Sequence, residues 1–309
     1  MIRLGVDLGG TKIEGVVVDV SGADGRPREL ARARRPTERD LGYDHVLEGV
    51  AAIIHEVAKQ AGVDPVTTPT GVGMPGSRTR RNADGTPSSE PLVKNANTTC
   101  LNGRPFFRDL STRIGREIHF ANDANCFALA EATWGAARGA RVAFGVILGT
   151  GVGGGVVLPG PHGLVAHEGL QGIAGEWGHN TLEPVTGPPC YCGRRGCVES
   201  FLAGVAIEAT YRERTGKTRL LADIAASDEP VARALVAERM DLFGRAIAQI
   251  INVLDPDVVV LGGGVSKLPQ LYTDGVAAAA RWVFNDTLET RIVQHELGDS
   301  AGVLGAALL

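Results

Sequence analysis

The chain has no long apolar run, no surplus of positive charge and few cysteines, and each shortfall removes a class of function. A bilayer-spanning helix needs about 20 consecutive apolar residues, and no stretch approaches that. Lys+Arg number 31 against 35 Asp+Glu, a formal net charge of -4, so the electrostatic footprint of a nucleic-acid binder is missing. A small acidic excess leaves room for an anionic ligand, because backbone N–H groups can cradle phosphate without side-chain charge. Of the 5 cysteines, Cys190, Cys192 and Cys197 crowd together while Cys100 and Cys126 stand alone. That odd, uneven set is not a secreted disulfide framework. The apolar start is broken at once by Asp7 and Gly9-Gly10, so no signal peptide is expected. A G-x-x-x-x-G-K-[ST] phosphate loop is also missing. These absences predict a cytoplasmic protein with neither a membrane nor a nucleic-acid partner.

What is present is an ordinary globular composition. Across 309 residues, 44% are hydrophobic and 21% charged, enough for one large or two ordinary domains with a full core. The 42 glycines cluster beside apolar runs, the pattern of tight ligand-binding turns rather than of a flexible linker.

The densest chemistry lies in Gly175–Glu199, GEWGHNTLEPVTGPPCYCGRRGCVE. His179, Cys190, Cys192 and Cys197 match a tetrahedral zinc site, since thiolate sulfur and imidazole nitrogen are the donors zinc prefers. Gly193 and Gly196 let the backbone return Cys197 to the Cys190-x-Cys192 pair. Four protein donors leave no open position, so the metal would be structural and would brace the flanking Glu176 and Glu199. The competing reading is one cysteine pair in a disulfide, with the rest idle. A zinc deaminase is disfavoured, because Pro189-Cys190-Tyr191-Cys192 is one residue short of P-C-x-x-C.

Ile2–Val6 and Ile13–Val20 read as strands around the polar glycine turn Asp7–Lys12. Such a hairpin can press N–H groups on a phosphate, and Asp7 at the strand end is placed to hold magnesium through water. His45–Ala61 is an amphipathic helix burying Val46, Val50, Ile53, Ile54 and Val57, with Gly62 as its cap; His45 and His55 have no evident partner. Gly71–Gly76 matches G-x-G-x-x-G in form, but no helix follows, so a dinucleotide site is not expected. Ser77–Glu90 reads as a polar loop with Arg78, Arg80 and Arg81 solvated. A strand at Ile118–Ala121 runs into Asn122-Asp123-Ala124-Asn125 and a helix reaching about Trp134. Asp123 therefore sits at a helix N-terminus, where the dipole and free N–H groups favour an ionised carboxylate. Capping alone would explain it; Asn122 and Asn125 beside it make it a candidate general base.

Val142–Leu148, the glycine turn Gly149–Gly155 and Val156–Leu158 repeat the opening pattern, which suggests a duplicated domain with a phosphate loop in each half. The longest helix is Pro230–Leu254, ending before Asp255-Pro256. Val258–Leu261 is a buried strand, and Gly262–Gly264 opens the next helix with a third place for close approach of a nucleotide. Arg291–Glu296 is the last strand and Ala301–Leu309 a small-residue helix.

DLGGTK (Asp7–Lys12), GMPG (Gly73–Gly76), NDAN (Asn122–Asn125), LGTGVGGG (Leu148–Gly155), GEWGH (Gly175–His179) and CYCGRRGCVE (Cys190–Glu199) together resemble the ROK family of sugar kinases and repressors, within the actin-like ATPase superfamily. The resemblance covers the whole chain. Through KNANTTCLNGRPF (Lys94–Phe106) and GEWGHN (Gly175–Asn180) it is most similar to bacterial fructokinases with mannose side activity. It implies an α/β fold of two duplicated ribonuclease H-like (actin-like ATPase) domains around a central cleft. The first would span 1–121 and the second 122–298, with a zinc-binding insertion at 175–199 and a final helix, about 299–309, packed back on the first. Repressors carry a winged-helix domain first; this chain opens on the phosphate-loop strand, which implies the kinase branch. A homodimer is implied as well.

The implied activity is ATP-dependent phosphorylation of a hexose 6-hydroxyl, with fructose first, mannose as a side substrate, and N-acetylglucosamine or glucose as the alternative. A sugar-sensing protein without turnover is the alternative class. Asp123 would be the catalytic base. Gly76, Asn97, Asn122, Asp123, Glu176, His179 and Glu199 would contact the sugar, with one His179 nitrogen on zinc and the other on sugar. ATP would be held by Gly5, Val6, Asp7, Leu8, Gly9, Gly10, Thr11 and Lys12, by Gly149, Thr150, Gly151, Val152, Gly153, Gly154, Gly155 and Val156, and by Gly263 and Gly264. Magnesium would lie near Asp7 and structural zinc on His179, Cys190, Cys192 and Cys197.

Overall fold

Runs of β-branched residues separated by glycine dominate the start of the chain, and they fold as a hairpin. The structure, a computed structural model, describes residues 1–22 and 25–309. Its residues group into two compact units. The first comprises Met1–Arg138, Gly155–Ala174 and Leu297–Leu309; the second comprises Gly139–Gly154 and Gly175–Glu296.

In the first unit β1 (Ile2–Leu8) and β2 (Lys12–Asp19) pair antiparallel, with Asp7 opposite Glu14, and β3 (Arg28–Pro36) adds to β2. Helix α1 (Tyr43–Ala61) lays Val46, Val50, Ile53, Ile54 and Val57 on the sheet and stops at Gly62, whose φ of 68° closes it in the left-handed conformation. His45, without a partner in the sequence reading, lies 3.0 Å from Glu38. β4 (Thr70–Met74) runs parallel to β1. The segment expected as a polar loop is a hairpin instead, β5 (Ser77–Arg81) and β6 (Pro87–Lys94). A two-stranded ribbon open to water has little need of apolar residues, so its pattern carries no hydrophobic period. Arg78 is not simply solvated: it donates to the Phe120 carbonyl and pairs with Glu168 at 3.1 Å. Helix α2 (Phe106–Ile114), β7 (His119–Asn122) and α3 (Asp123–Trp134) complete this stretch, giving the sheet order β3-β2-β1-β4-β7.

β8 (Ala143–Leu148), β9 (Val152–Gly160) and β10 (Gly163–His167) follow. After the cysteine-rich stretch come α4 (Glu199–Leu202), α5 (Gly204–Thr215), α6 (Leu221–Ala225) and α7 (Pro230–Leu254). α7 has Pro230 in its first turn and stops at Asp255, before Pro256. β11 (Val258–Gly262), buried throughout, runs parallel to β8; α8 (Asp274–Ala280) packs on α7, and β12 (Arg291–Gln294) adds parallel to β11. The glycines after β11 open only a short 3-10 turn, Gly264–Lys267, rather than a helix. The second sheet, β10-β9-β8-β11-β12, repeats the first: an antiparallel hairpin at one edge, then parallel strands.

The last helix, α9 (Ala301–Ala306), belongs to the first unit. Its small residues let backbone meet backbone. A Cβ on Gly5 would lie 2.3 Å from the Val303 carbonyl oxygen, one on Gly71 2.0 Å from that of Ala306, and one on Gly305 1.8 Å from that of Cys126 on α3. Among the described residues no helix is long and apolar enough to cross a membrane.

Candidate functional site

Two carboxylates lead in the first unit. Asp123 opens α3 and accepts from the Ala124 N–H at 2.8 Å. The N-cap is its neighbour Asn122, whose Oδ1 takes the same N–H at 2.9 Å and whose Nδ2 donates to the Gly76 carbonyl at 3.0 Å. Asn122 thus ties the Gly76 turn to the start of α3. Asp7 is close enough to feel Asp123: burial first, then the Asp123 carboxylate, push its pKa up from 3.8 to about 7, against the pull of Lys12. A Cβ on Gly302 of α9 would sit 3.2 Å from Asp7 Oδ2, so α9 also walls this carboxylate. Lys12 Nζ lies 3.0 Å from Glu14, a carboxylate 1% exposed that Arg32 and Arg34 also reach. Asn97 sits beside the glycine turn: Arg39 donates to its carbonyl at 3.3 Å, and a Cβ on Gly10 would lie 3.8 Å from its Oδ1.

The expected nucleotide glycines divide into two kinds. Gly149–Gly151 is a true turn, closed by Gly149 N–H to Gly151 O at 2.9 Å, and Gly204 N–H donates to Gly149 O at 2.8 Å. β9 already begins at Val152, so Gly153, Gly154, Gly155 and Val156 lie in a strand and not in the turn. Close packing accounts for two of those glycines: a Cβ on Gly154 would meet the Phe144 ring at 2.7 Å, and one on Gly155 the Ala124 carbonyl at 2.4 Å. Gly5, Val6 and Leu8 lie inside β1, with both large side chains buried. Gly263 packs on Leu148 with a φ of 83°, whereas Gly264 faces open space.

Gly149, Thr150 and Gly264 line a cavity of about 770 Å³ in the second unit. Its remaining wall was not legible in sequence, because the residues come from separated segments: Gly204 and Glu208 of α5, Leu221 of α6, then Lys267, Leu268 and Gln270. Glu208 accepts from the Leu221 N–H at 2.8 Å through one oxygen.

The cysteine-rich stretch gathers the donors foreseen for it. One atom from each of His179, Cys190, Cys192 and Cys197 lies within 4.8 Å of the others, and no cysteine is in a disulfide. Cys190 Sγ to His179 Nδ1 and Cys192 Sγ to Cys197 Sγ are both 3.6 Å. A tetrahedral centre with zinc bond lengths near 2.3 Å to sulfur and 2.0 Å to nitrogen spaces its donors by about 3.5–3.8 Å. The donor set and its spacing therefore fit zinc. Gly193 and Gly196, at φ of 87° and 67°, make the turns that close the stretch.

One of the flanking carboxylates is fixed as well. Glu199 Oε2 accepts from the Val152 N–H at 2.9 Å, and Trp177, following Glu176, donates to the Gly153 carbonyl at 2.9 Å. The second ring nitrogen of His179 lies 3.0 Å from the Tyr191 hydroxyl.

The ROK family model matches residues 3–309. The chain belongs to the ROK family. An N-acetyl-D-glucosamine kinase of Vibrio cholerae serotype O1 is 33% identical over 319 residues, covering 99% of this chain and 98% of that protein. Among solved structures, the ROK hexokinase from Thermus thermophilus superposes with a TM-score of 0.84 at 33% identity, covering 100% of this ROK chain and 97% of its own. A ROK family glucokinase from Streptomyces griseus, in complex with glucose and AMPPNP, gives 0.74 at 25% identity, covering 99% and 98%. The actin-like α/β architecture of this family and the two like-ordered sheets described above agree.

Proposed function

We propose that this chain is an ATP-dependent hexose kinase, with N-acetyl-D-glucosamine as the first sugar to test. The observation that carries the reading is the Asp123 carboxylate at the head of α3, held by the Ala124 N–H beside a clipped Asn122. The kinase name of relatives at 33% identity over nearly the full length supports it. Fructose, the sugar implied by motif resemblance, ranks second, because relatives 33% and 35% identical are named N-acetyl-D-glucosamine kinases.

Phosphoryl transfer spreads charge through a loose transition state, so the protein chiefly positions groups and neutralises charge. Asp123 accepts the proton of the attacking hydroxyl. The sugar contacts of this proposal are Asn122, Gly76, Asn97, Glu176, His179 and Glu199. The turn Gly149–Gly151 and the N–H groups near Gly9 and Gly10 hold phosphates. The 770 Å³ cavity suits a nucleoside: apolar Leu221 and Leu268 flank the base, and among the described residues Glu208 commits one carboxylate oxygen, leaving the other for a ribose hydroxyl. Magnesium, held by Asp7 through water, would supply charge neutralisation at the phosphates. Zinc on the Cys3His group would be structural, with no ligand position left over. Cytoplasmic location and a homodimer belong to the same proposal.

A coupled ADP assay over N-acetyl-D-glucosamine, glucose, mannose and fructose tests the reading. The largest kcat/KM is expected for N-acetyl-D-glucosamine. ADP release with none of the four sugars would overturn the kinase reading in favour of a sensor without turnover.

A further inference from the structure

His179 is engaged at both ring nitrogens. Nδ1 faces the Cys190 sulfur at 3.6 Å, on the side of the four-donor group. Nε2 lies 3.0 Å from the Tyr191 hydroxyl. An imidazole with a metal on Nδ1 carries its proton on Nε2. With zinc on Nδ1, Nε2–H would donate and the phenolic oxygen would accept. The nitrogen expected to meet sugar is held by a side chain of the same protein.

Little else holds Tyr191. It is 82% exposed, and its ring touches His179 edge to face with centroids 5.2 Å apart. Among the described residues its side chain makes no second hydrogen bond. Tyr191 thus stands against His179, one of the three residues read as sugar contacts in this unit. An aromatic ring so exposed, beside hydrogen-bonding groups that suit a sugar, lacks the packing that usually covers one.

We propose that Tyr191 is an affinity-setting member of the sugar site: its hydroxyl holds the Nε2–H of His179 in the sugar-free chain and is displaced by a sugar hydroxyl. This rests on the reading of Glu176, His179 and Glu199 as sugar contacts. The exchange replaces one hydrogen bond to Nε2–H by another, with no covalent change and no proton moved. The ring can leave because little beyond its edge contact with His179 retains it, and once displaced it is free to lie against the apolar face of the sugar. Tyr191 thereby acts as an internal competitor. Removing an ordinary hydrogen bond that opposes binding is worth about 2–10-fold in affinity.

Tyr191→Phe keeps the ring and deletes the hydroxyl. Sugar binding is measured by calorimetry without nucleotide, using N-acetyl-D-glucosamine and glucose as probes. KM and kcat are measured in parallel, and zinc content by elemental analysis. The sugar Kd and KM are expected to fall about 2–10-fold, with the change carried by KM rather than by kcat and with zinc content equal to wild type. A Kd that is unchanged or raised while zinc is retained would overturn the proposal. Tyr191→Ala, lacking the ring as well, is expected to bind more weakly than Tyr191→Phe; equal affinities would remove the ring from the site. Wild-type protein that binds neither sugar, or whose sugar binding is indifferent to Glu176→Gln and Glu199→Gln, would instead sink the sugar-site reading itself.

Discussion

At the scale of single residues, the two carboxylates of the first unit are separable by experiment. Asp123→Asn keeps the shape and removes the base; turnover should drop by about two to four powers of ten, with an unchanged circular dichroism spectrum. Near-normal turnover would exclude Asp123 as the base. Asp7 makes a prediction about pH. Its carboxyl titrates near 7 in the folded chain, against 3.8 ordinarily, through burial and then Asp123. The folded state therefore keeps a proton that the unfolded state has released. The stability this gives is complete below about pH 4 and is lost as pH rises through 7. Asp7→Asn should abolish that loss, leaving the variant more stable than wild type at pH 8 by on the order of 2–4 kcal/mol without magnesium. Melting curves from pH 4 to 9 check it; a constant offset between the two proteins would contradict the assignment. The position of Asp123 at the head of α3 was legible because an acid flanked by Asn122 and Asn125 at a strand-to-helix junction is a local pattern. Glu14 was not, since its burial among Lys12, Arg32 and Arg34 depends on pairing with β3.

At the scale of elements, the cysteine-rich stretch and the glycine contacts carry the predictions. Elemental analysis should find zinc bound by the His179, Cys190, Cys192 and Cys197 group. A strong chelator should raise hydrogen exchange across 175–199 while strand β1 stays protected. Uniform loss of protection, or none, would argue against a local brace. Gly71→Ala puts a methyl where the Ala306 carbonyl oxygen would be 2.0 Å away. α9 must then shift, at a cost of about 1–3 kcal/mol, read as a lower denaturant midpoint. Helices α1 and α7 were legible because their apolar period and terminal signals are local. The β5–β6 ribbon was hidden by its polarity, and the start of β9 by glycines chosen for packing rather than for turning.

At the scale of the whole molecule, the duplication was legible because strand, glycine turn and strand recur in the sequence, whereas the strand order was not. The cavity wall was not, because segments far apart in the chain build it. Saturating ATP with magnesium should raise the thermal midpoint, since ligand binding to the folded state stabilises it by mass action. Glu208→Ala should reduce that rise more for ATP than for 2′-deoxy-ATP if its carboxylate meets the ribose 2′-hydroxyl, and an equal reduction would place Glu208 away from that hydroxyl. The placement of α9 has a further consequence during synthesis. Strands β1 and β4 are translated well before the backbone of α9 that seals one side of them. The first unit therefore waits, half-covered, until α9 is made, and a nascent chain stalled before residue 297 would present an unsealed sheet to chaperones and proteases.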